Sequence, residues 1–145
     1  MSNTTWTEIP TEGVIDAATE ALSQNGMKAI VVGTHEEAKN KVLELIPEGS
    51  EVFTATSITL EESGIAKEIN ESGKFDSVRN KLNSMDREKD FSEMQKLGAA
   101  PEYVIGSVHA VTEDGKVIIA SNTGSQLPSY AYGASKVIWV VSADK

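Results

Sequence analysis

The sequence predicts an α/β protein with a three-layer α/β/α arrangement, in which helices cover a mostly parallel sheet and one β-hairpin comes late in the chain. Short apolar runs rich in β-branched residues alternate with helical patterns, which is typical of parallel strands joined by crossover helices. A Glu-Asp-Gly turn at 113–115 separates two apolar runs and indicates the hairpin. The 145 residues suffice for one hydrophobic core, so we expect an N-terminal arm over 1–9 and a single domain over 10–145.

The N-terminal third of the chain predicts two helices around one strand. Apolar residues at helical spacing follow Pro10, and an Asn-Gly pair at 25–26 supplies the stop signal of the first helix. The β-branched run MKAIVVG (27–33) is typical of a strand buried on both faces. Thr34 followed by Glu37 matches a capping box and predicts the start of the second helix.

The middle of the chain repeats this alternation. The run SEVFTATS (50–57) predicts a strand, and Thr59 with Glu62 predicts the cap of a helix that a Ser-Gly pair at 72–73 ends. A brief strand is expected in KFDSV (74–78). The highly charged residues that follow carry little apolar pattern and predict no element.

The last third predicts a helix, the hairpin and a final strand. An apolar stripe over 91–97 indicates the helix, and the runs EYVIGSVHAVT (102–112) and KVIIAS (116–121) form the arms of the hairpin. A helix near 126–133 and the strand KVIWVV (136–141) complete the chain.

Composition excludes several classes of function. The net charge of −9 argues against nucleic acid or a membrane surface as a partner, because both require clustered Lys and Arg. The chain has no cysteine and only two histidines, His35 and His109, so we expect no metal site and no resident cofactor. The N-terminus lacks the basic and apolar regions of a signal peptide, and no apolar run reaches the length of a membrane helix. These features predict a cytoplasmic protein.

Three polar loops follow predicted strands, at the end of the sheet where open α/β proteins bind ligands: 33–36, 54–60 and 121–126. The last two of them carry the candidate ligand residues. The candidate ligand-binding residues are Thr56, Ser57, Asn122, Thr123, Gly124 and Ser125. Hydroxyl groups and the free N–H groups of a helix N-terminus suit phosphate or carboxylate, so the loops predict a site for a small anionic metabolite. The alternative is structural: the Ser and Thr residues, Thr59 above all, cap the next helices, and Gly124 only provides backbone freedom.

Two residues are candidates for catalysis. Glu113 would serve as a nucleophile if its carboxylate were fixed and partly desolvated, but the same residue fits a solvated hairpin turn. Histidine is the side chain best suited to proton transfer near neutral pH, so His109 would serve as a general base, although a histidine within an apolar run also fits a half-buried strand position.

Three segments together resemble the lactate-utilisation domain family, abbreviated LUD. They are TATSITLEESGI (54–65), YVIGSVHAVTEDGKVIIASNTGSQL (103–127) and YGASKVIWVVSADK (132–145). The resemblance implies a fold of the kind shared by sugar-phosphate isomerases and CoA transferases, which bind phosphorylated or acyl-CoA ligands in strand-end loops. It also implies a role in the utilisation of lactate or a related hydroxy acid.

Three functions stay open at this stage. The first is a LUD protein that binds a small anionic metabolite. The second is an enzyme of CoA-transferase or sugar-phosphate-isomerase type, in which Glu113 resembles the Glu of a Glu-x-Gly context that forms an acyl-enzyme thioester. The third is a non-catalytic subunit that docks an iron–sulfur redox partner.

The family resemblance bears on the length of the chain, and the apolar final strand bears on its assembly. Family members typically continue beyond the point that matches Lys145, so the chain is either a natural short form or a fragment lacking a C-terminal extension. A second chain covering the apolar final strand would give a homodimer. The substrate and the existence of a reaction do not follow from the residues.

Overall fold

The computed structural model describes residues 8–145, so most of the expected N-terminal arm lies outside the described residues. The chain forms two compact units, each assembled from separate segments. The first unit comprises the described part of Met1–Gly33 together with Val108–Ala120 and Val141–Lys145, and the second comprises Thr34–Ser107 and Ser121–Val140. The single domain over 10–145 stays a prediction.

The helices and strands occur in the order that an α/β fold requires. Within 8–145 the helices are α1 (Glu12–Gln24), α2 (His35–Leu45), α3 (Ile58–Glu62), α4 (Ile65–Glu71), α5 (Val78–Ser84), α6 (Phe91–Ala99) and one π-helix (Ser129–Gly133). The strands over the same range are β1 (Glu51–Thr54), β2 (Asp76–Ser77), β3 (Tyr103–Gly106), β4 (Ala110–Val111), β5 (Val117–Ile118) and β6 (Lys136–Trp139).

The second unit contains a four-stranded parallel sheet in the order β2–β1–β3–β6. Helices flank this sheet, and the antiparallel pair β4–β5 forms a separate small sheet in the first unit. The predicted α/β class, with a mostly parallel sheet and one late hairpin, is therefore confirmed. The brief strand expected in 74–78 is also confirmed, as β2.

The core of the second unit lies between the sheet and the helices that follow β1. Val52 and Ile105 contribute from the sheet, and Leu60, Ile65 and Ile69 contribute from α3 and α4. All five side chains are at most 1% exposed. Burying each of them stabilises the fold by about 1.5–3 kcal/mol, so this cluster fixes the position of β1 and its following loop.

Local capping explains where the helices of the second unit begin. The Thr34 hydroxyl accepts a hydrogen bond from the Glu37 N–H at 3.1 Å, which confirms the predicted start of α2. The cap predicted at Thr59 is wrong, because Ser57 caps α3 and Thr59 lies buried inside that helix. The single helix predicted toward Ile69 is divided in two by Gly64, whose φ of +71° lies in the left-handed region, outside the range of a right-handed helix.

The first unit consists of α1 and the hairpin β4–β5. The Asn25 amide donates to the carbonyl oxygens of Asp114 (3.2 Å) and Gly115 (2.9 Å), so the hairpin turn is held at the C-terminal end of α1. Gly115 has φ +81°, and a Cβ there would lie 2.5 Å from the carbonyl carbon of Ala21. Only glycine fits this contact, which explains the Gly of the predicted turn.

The strand predicted for 27–33 is wrong. This segment forms no strand, and Ile30, Val31 and Val32 are 43%, 61% and 38% exposed. Their β-branched side chains favour an extended backbone, but a strand exists only where a neighbour completes its hydrogen bonds. No neighbouring strand pairs with this segment within the described part of the chain.

Candidate functional site

The carboxyl ends of β1, β3 and β6 form one continuous edge in the second unit. Thr54 pairs with Ile105 in the register of β1 and β3, and Gly106 pairs with Trp139 in the register of β3 and β6. The hydrogen bonds between β1 and β3 continue one residue beyond Thr54, because the Ala55 N–H donates to the Ile105 carbonyl at 2.8 Å. Ligands of open parallel sheets bind outside such an edge.

The short strand β2 leaves the last carbonyl group of β1 without a strand partner, and Arg79 fills that place. After Ser77 the chain enters α5, and the pairing of β1 with β2 ends there. No β2 residue therefore lies opposite Thr54. The Arg79 guanidinium donates to the Thr54 carbonyl oxygen through Nε (3.1 Å) and Nη2 (2.6 Å). A cationic side chain is thereby anchored at the carboxyl edge of the sheet.

The environment of Arg79 is partly apolar, and residues 8–145 supply it with no counter-ion. Its Cζ lies 5.0 Å from the centroid of the Phe53 ring, a cation–π contact. The side chain is half-buried, and this burial lowers the pKa of Arg79 below its usual value. No acidic side chain of residues 8–145 forms an ion pair with it. Two of the five guanidinium N–H groups bind Thr54, which leaves the others available to an acceptor.

A network of side-chain hydrogen bonds fixes α5 and therefore Arg79. The Asn70 amide donates to the Thr54 hydroxyl at 3.0 Å, and the Ser77 hydroxyl donates to the Asn70 side-chain oxygen at 2.6 Å. Asn80 adds a bond to the Asn70 carbonyl at 2.6 Å. Because this network joins the end of β1 to the first turn of α5, the guanidinium has a defined position before any ligand arrives.

Tyr130 covers the same edge at the next strand. Gly106 has no side chain, and a Cβ built there would lie 1.5 Å from the Tyr130 hydroxyl oxygen and 3.2 Å from the Ala55 Cβ. The Tyr130 ring packs edge-on against Trp139, with 5.6 Å between ring centroids and 83° between planes. The Trp139 Nε1 atom is buried and has no hydrogen-bond partner within 8–145.

The protonation state of Tyr130 follows from its surroundings. The side chain is only 8% exposed, and burial raises the pKa of Tyr130 to about 12. A backbone hydrogen bond with Ser107 acts in the opposite direction and lowers the pKa. The effect of burial is the larger of the two. The phenol is therefore protonated at neutral pH.

In the comparison with protein families, the LUD domain model matches residues 15–145, which is nearly the whole chain. The chain belongs to the LUD-domain family. The comparison with curated proteins gave no match, and neither did the comparison with solved structures. The resemblance found in the sequence is thus confirmed at the level of the family.

The first predicted ligand loop of this LUD domain lies directly at the edge described above. Thr56 is exposed, follows Ala55, and makes no hydrogen bond within the described chain. The Ser57 hydroxyl accepts from the Leu60 N–H at 3.4 Å as the cap of α3. Thr56 is accordingly the residue of this pair whose hydroxyl group is fully available.

The second predicted loop closes largely on itself. The Ser121 hydroxyl accepts from the Gly124 N–H at 2.8 Å, and the Thr123 hydroxyl donates to the Ser125 hydroxyl at 3.0 Å. Gly124 has φ +76° and open space around it, so its role there is the backbone freedom of the turn. Asn122 is exposed, and its side chain makes no hydrogen bond to any described residue. Both loops belong to the second unit, and no hydrogen bond between described residues joins them.

The two predicted catalytic residues of the LUD domain lie in the first unit, at opposite ends of the hairpin. At the open end the His109 N–H donates to the Ile118 carbonyl at 2.8 Å, and its Nδ1 accepts from the Ala120 N–H at 3.2 Å. At the turn Glu113 is exposed. The hairpin therefore does not bring His109 and Glu113 together, and their catalytic roles stay predictions.

The turn residues next to Glu113 form their own small network. Lys116 pairs with Asp114 at 2.5 Å, and the Thr112 hydroxyl donates to the same carboxylate. The Lys116 hydrogen bond, followed by that of Thr112, lowers the pKa of Asp114. Glu113 takes no part in this network, so its neighbours give it neither the fixation nor the desolvation of an activated carboxylate.

Other features of the LUD domain bear on possible ligands. No helix within 8–145 is long and apolar enough to cross a membrane. Over the same range, no group of three His, Asp or Glu side chains is arranged to hold a metal ion. A surface pocket of about 330 Å³ in the second unit contains none of the predicted site residues; it is lined by Lys39, Gly64, Lys67, Glu68, Glu71 and Ser72.

Neither Arg79 nor Tyr130 is among the site residues that the sequence predicts. One signal was present: the chain has only two arginines, Arg79 and Arg87, in a protein of net charge −9. A second was the absence of any Asp or Glu between Asp114 and Asp144, the stretch that contains Tyr130. The first signal is a rare cation and the second is a stretch without acidic residues, and both favour an anionic ligand.

Proposed function

We propose that this LUD-domain protein binds a small anionic metabolite at the carboxyl edge of the second unit's sheet, where Arg79 pairs with the acid group. The observation that carries the proposal is the half-buried guanidinium, anchored by the Thr54 carbonyl and without an acidic partner among the described residues. A partly desolvated cation without a counter-ion is unfavourable, and an anion from solution relieves that cost.

The geometry of Arg79 favours a carboxylate or phosphate as the acid group. Its planar fork of N–H donors matches the two oxygens of such a group, and charge-assisted hydrogen bonds of this kind are stronger than neutral ones. Thr54 and the Phe53 ring hold the fork in place before the ligand arrives. Binding therefore costs little of the ordering entropy that a free surface arginine loses.

Two of the predicted loop residues support the same site. The Thr56 hydroxyl and the Asn122 amide are exposed and free of hydrogen bonds to described residues, so both are available to polar groups of a ligand. Ser57, Thr123 and Ser125 already use part of their hydrogen-bonding capacity within the loops. We assign them a supporting role, in which they shape the loops rather than contact the ligand.

Family membership indicates which class of metabolite the site binds. Membership of the LUD family links the protein to the utilisation of lactate or a related hydroxy acid. A short hydroxy acid carries one carboxylate, which one arginine neutralises. The CoA-transferase-like or isomerase-like enzyme and the subunit that docks an iron–sulfur partner stay predictions from the sequence.

The test is a calorimetric titration of the folded protein with L-lactate and, separately, with inorganic phosphate. We expect wild-type protein to bind one of these anions and R79Q to bind it at least tenfold more weakly, which corresponds to about 1.4 kcal/mol. R87Q is the matched control, because Arg87 is the other arginine and is exposed. Equal affinity of R79Q and wild type, or no binding of either anion by wild type, would overturn the proposal.

A further inference from the structure

We infer that Tyr130 is a specificity-determining residue of this site: its hydroxyl group donates a hydrogen bond to an oxygen of the bound anion that lies outside the acid group. The inference rests on the proposed function, because it requires an anion held by Arg79. The hydrogen bond from Tyr130 selects, among small carboxylates, those that carry a hydroxyl or carbonyl oxygen near the acid group.

The first step is that Arg79 and Tyr130 lie over the same face of the sheet. Side chains two positions apart on a strand share a face, so Phe53 and Ala55 point to the same side of β1. Arg79 stacks on the Phe53 ring, and the Tyr130 hydroxyl sits where the Gly106 side chain would meet the Ala55 Cβ. Both donors therefore border one short stretch of the carboxyl edge.

The second step is that Arg79 and Tyr130 flank the peptide group between Thr54 and Ala55. The carbonyl of this peptide receives Arg79, and its N–H donates toward β3 at Ile105. Tyr130 lies over β3, at Gly106. A ligand whose acid group pairs with Arg79 thus extends along the edge toward the Tyr130 hydroxyl.

The third step is that the Tyr130 hydroxyl has a proton to give. The phenol is protonated at neutral pH, so its O–H group is able to donate a hydrogen bond. Trp139 packs against the ring and Gly106 lies beneath the oxygen, so the phenol has a fixed position.

A fixed donor of this kind discriminates strongly against ligands that lack the matching oxygen. A binding site that hydrogen-bonds a hydroxyl group rejects the analogue without it, because the buried polar group is then left unpaired. L-Lactate and propionate form a suitable pair of probes, since they differ only in the hydroxyl group next to the carboxylate.

The experiment measures the affinities of L-lactate and propionate for wild type, Y130F, Y132F and R79Q by calorimetry. We expect wild type to prefer L-lactate at least tenfold and Y130F to bind both acids with similar affinity. Y132F should behave as wild type, because the Tyr132 side chain is 95% exposed. R79Q should lose affinity for both acids.

The outcomes separate the inference from the proposed function. Unchanged preference in Y130F together with weak binding in R79Q would overturn the role of Tyr130 and leave the anion site standing. If R79Q binds the acids with the affinity of wild type, both the role of Tyr130 and the anion site at Arg79 would be overturned. If Y130F does not fold, NMR of wild-type protein with labelled tyrosine rings decides. The Tyr130 signal should then shift with L-lactate and not with propionate, and equal shifts would refute the inference.

Discussion

The guanidinium group of Arg79 takes the place of a neighbouring strand at the carbonyl oxygen of Thr54. Its Nε and Nη2 atoms donate at 3.1 and 2.6 Å to a group that β2 is too short to reach. The same side chain thereby closes the sheet and brings a positive charge to the edge where parallel sheets bind ligands. The Arg79–Thr54 contact therefore bears both on the stability of the sheet and on the proposed binding of an anion.

The first prediction concerns the stabilising part of that role. R79M removes both hydrogen bonds to Thr54 and the contact of the cation with the Phe53 ring, while it keeps the apolar stem. We expect the free energy of unfolding in urea to fall by about 1–3 kcal/mol, because a buried carbonyl loses its donors. R87M, at the exposed arginine, should stay within about 0.5 kcal/mol of wild type. Equal stability of R79M and wild type would contradict a structural role for the contact.

The sequence predicted the features that depend on neighbouring residues. Thr34 caps α2 because its hydroxyl needs only the N–H three residues later, and the Glu-Asp-Gly turn forms because Gly115 accepts a positive φ. The cap at Thr59 was misplaced because Ser57 offers the same chemistry two residues earlier. Neighbouring residues of the same type compete for one cap, and the choice depends on where the strand before them ends.

The features that depend on distant partners could not be predicted from the sequence. The run 27–33 has strand chemistry but finds no neighbouring strand among the described residues. Arg79 is separated by 25 residues from the carbonyl that anchors it, so only the register of β1 with β2 reveals the contact. Tyr130 likewise reaches the carboxyl edge of the sheet only because Gly106 leaves space for its hydroxyl.

The second prediction uses two glycines of the first unit. G115A places a Cβ 2.5 Å from the Ala21 carbonyl carbon and forces alanine to φ +81°, so we expect a loss of more than about 1 kcal/mol in unfolding free energy. G13A has open space and lies in α1, where alanine is favoured over glycine by roughly 0.5–1 kcal/mol. Thermal unfolding should therefore shift downward for G115A and upward for G13A. A shift in the same direction for both would refute the distinction.

The third prediction tests whether Glu113 behaves as a turn residue. The side chain is exposed and stands outside the Thr112–Asp114–Lys116 network, so E113Q should change the unfolding free energy by less than about 0.5 kcal/mol. Anion affinity should also equal that of wild type. The contrary result is covalent labelling of wild type by acyl-CoA, which hydroxylamine removes and which E113Q lacks. This result would establish the CoA-transferase-like reaction.

The fourth prediction is a pH dependence of stability that belongs to Tyr130. The folded pKa of about 12 lies above the ordinary value of 10.0, so between these values the unfolded chain releases the phenol proton and the folded protein keeps it. The contribution of Tyr130 to stability is therefore complete below pH 10 and decreases as the pH rises toward 12, with a limiting slope of about 1.4 kcal/mol per pH unit. Urea unfolding of wild type and Y130F from pH 9 to 11.5 should show a steeper decline for wild type. Y132F, at the exposed tyrosine, should retain the wild-type slope, and a wild-type slope in Y130F as well would assign the decline to other groups.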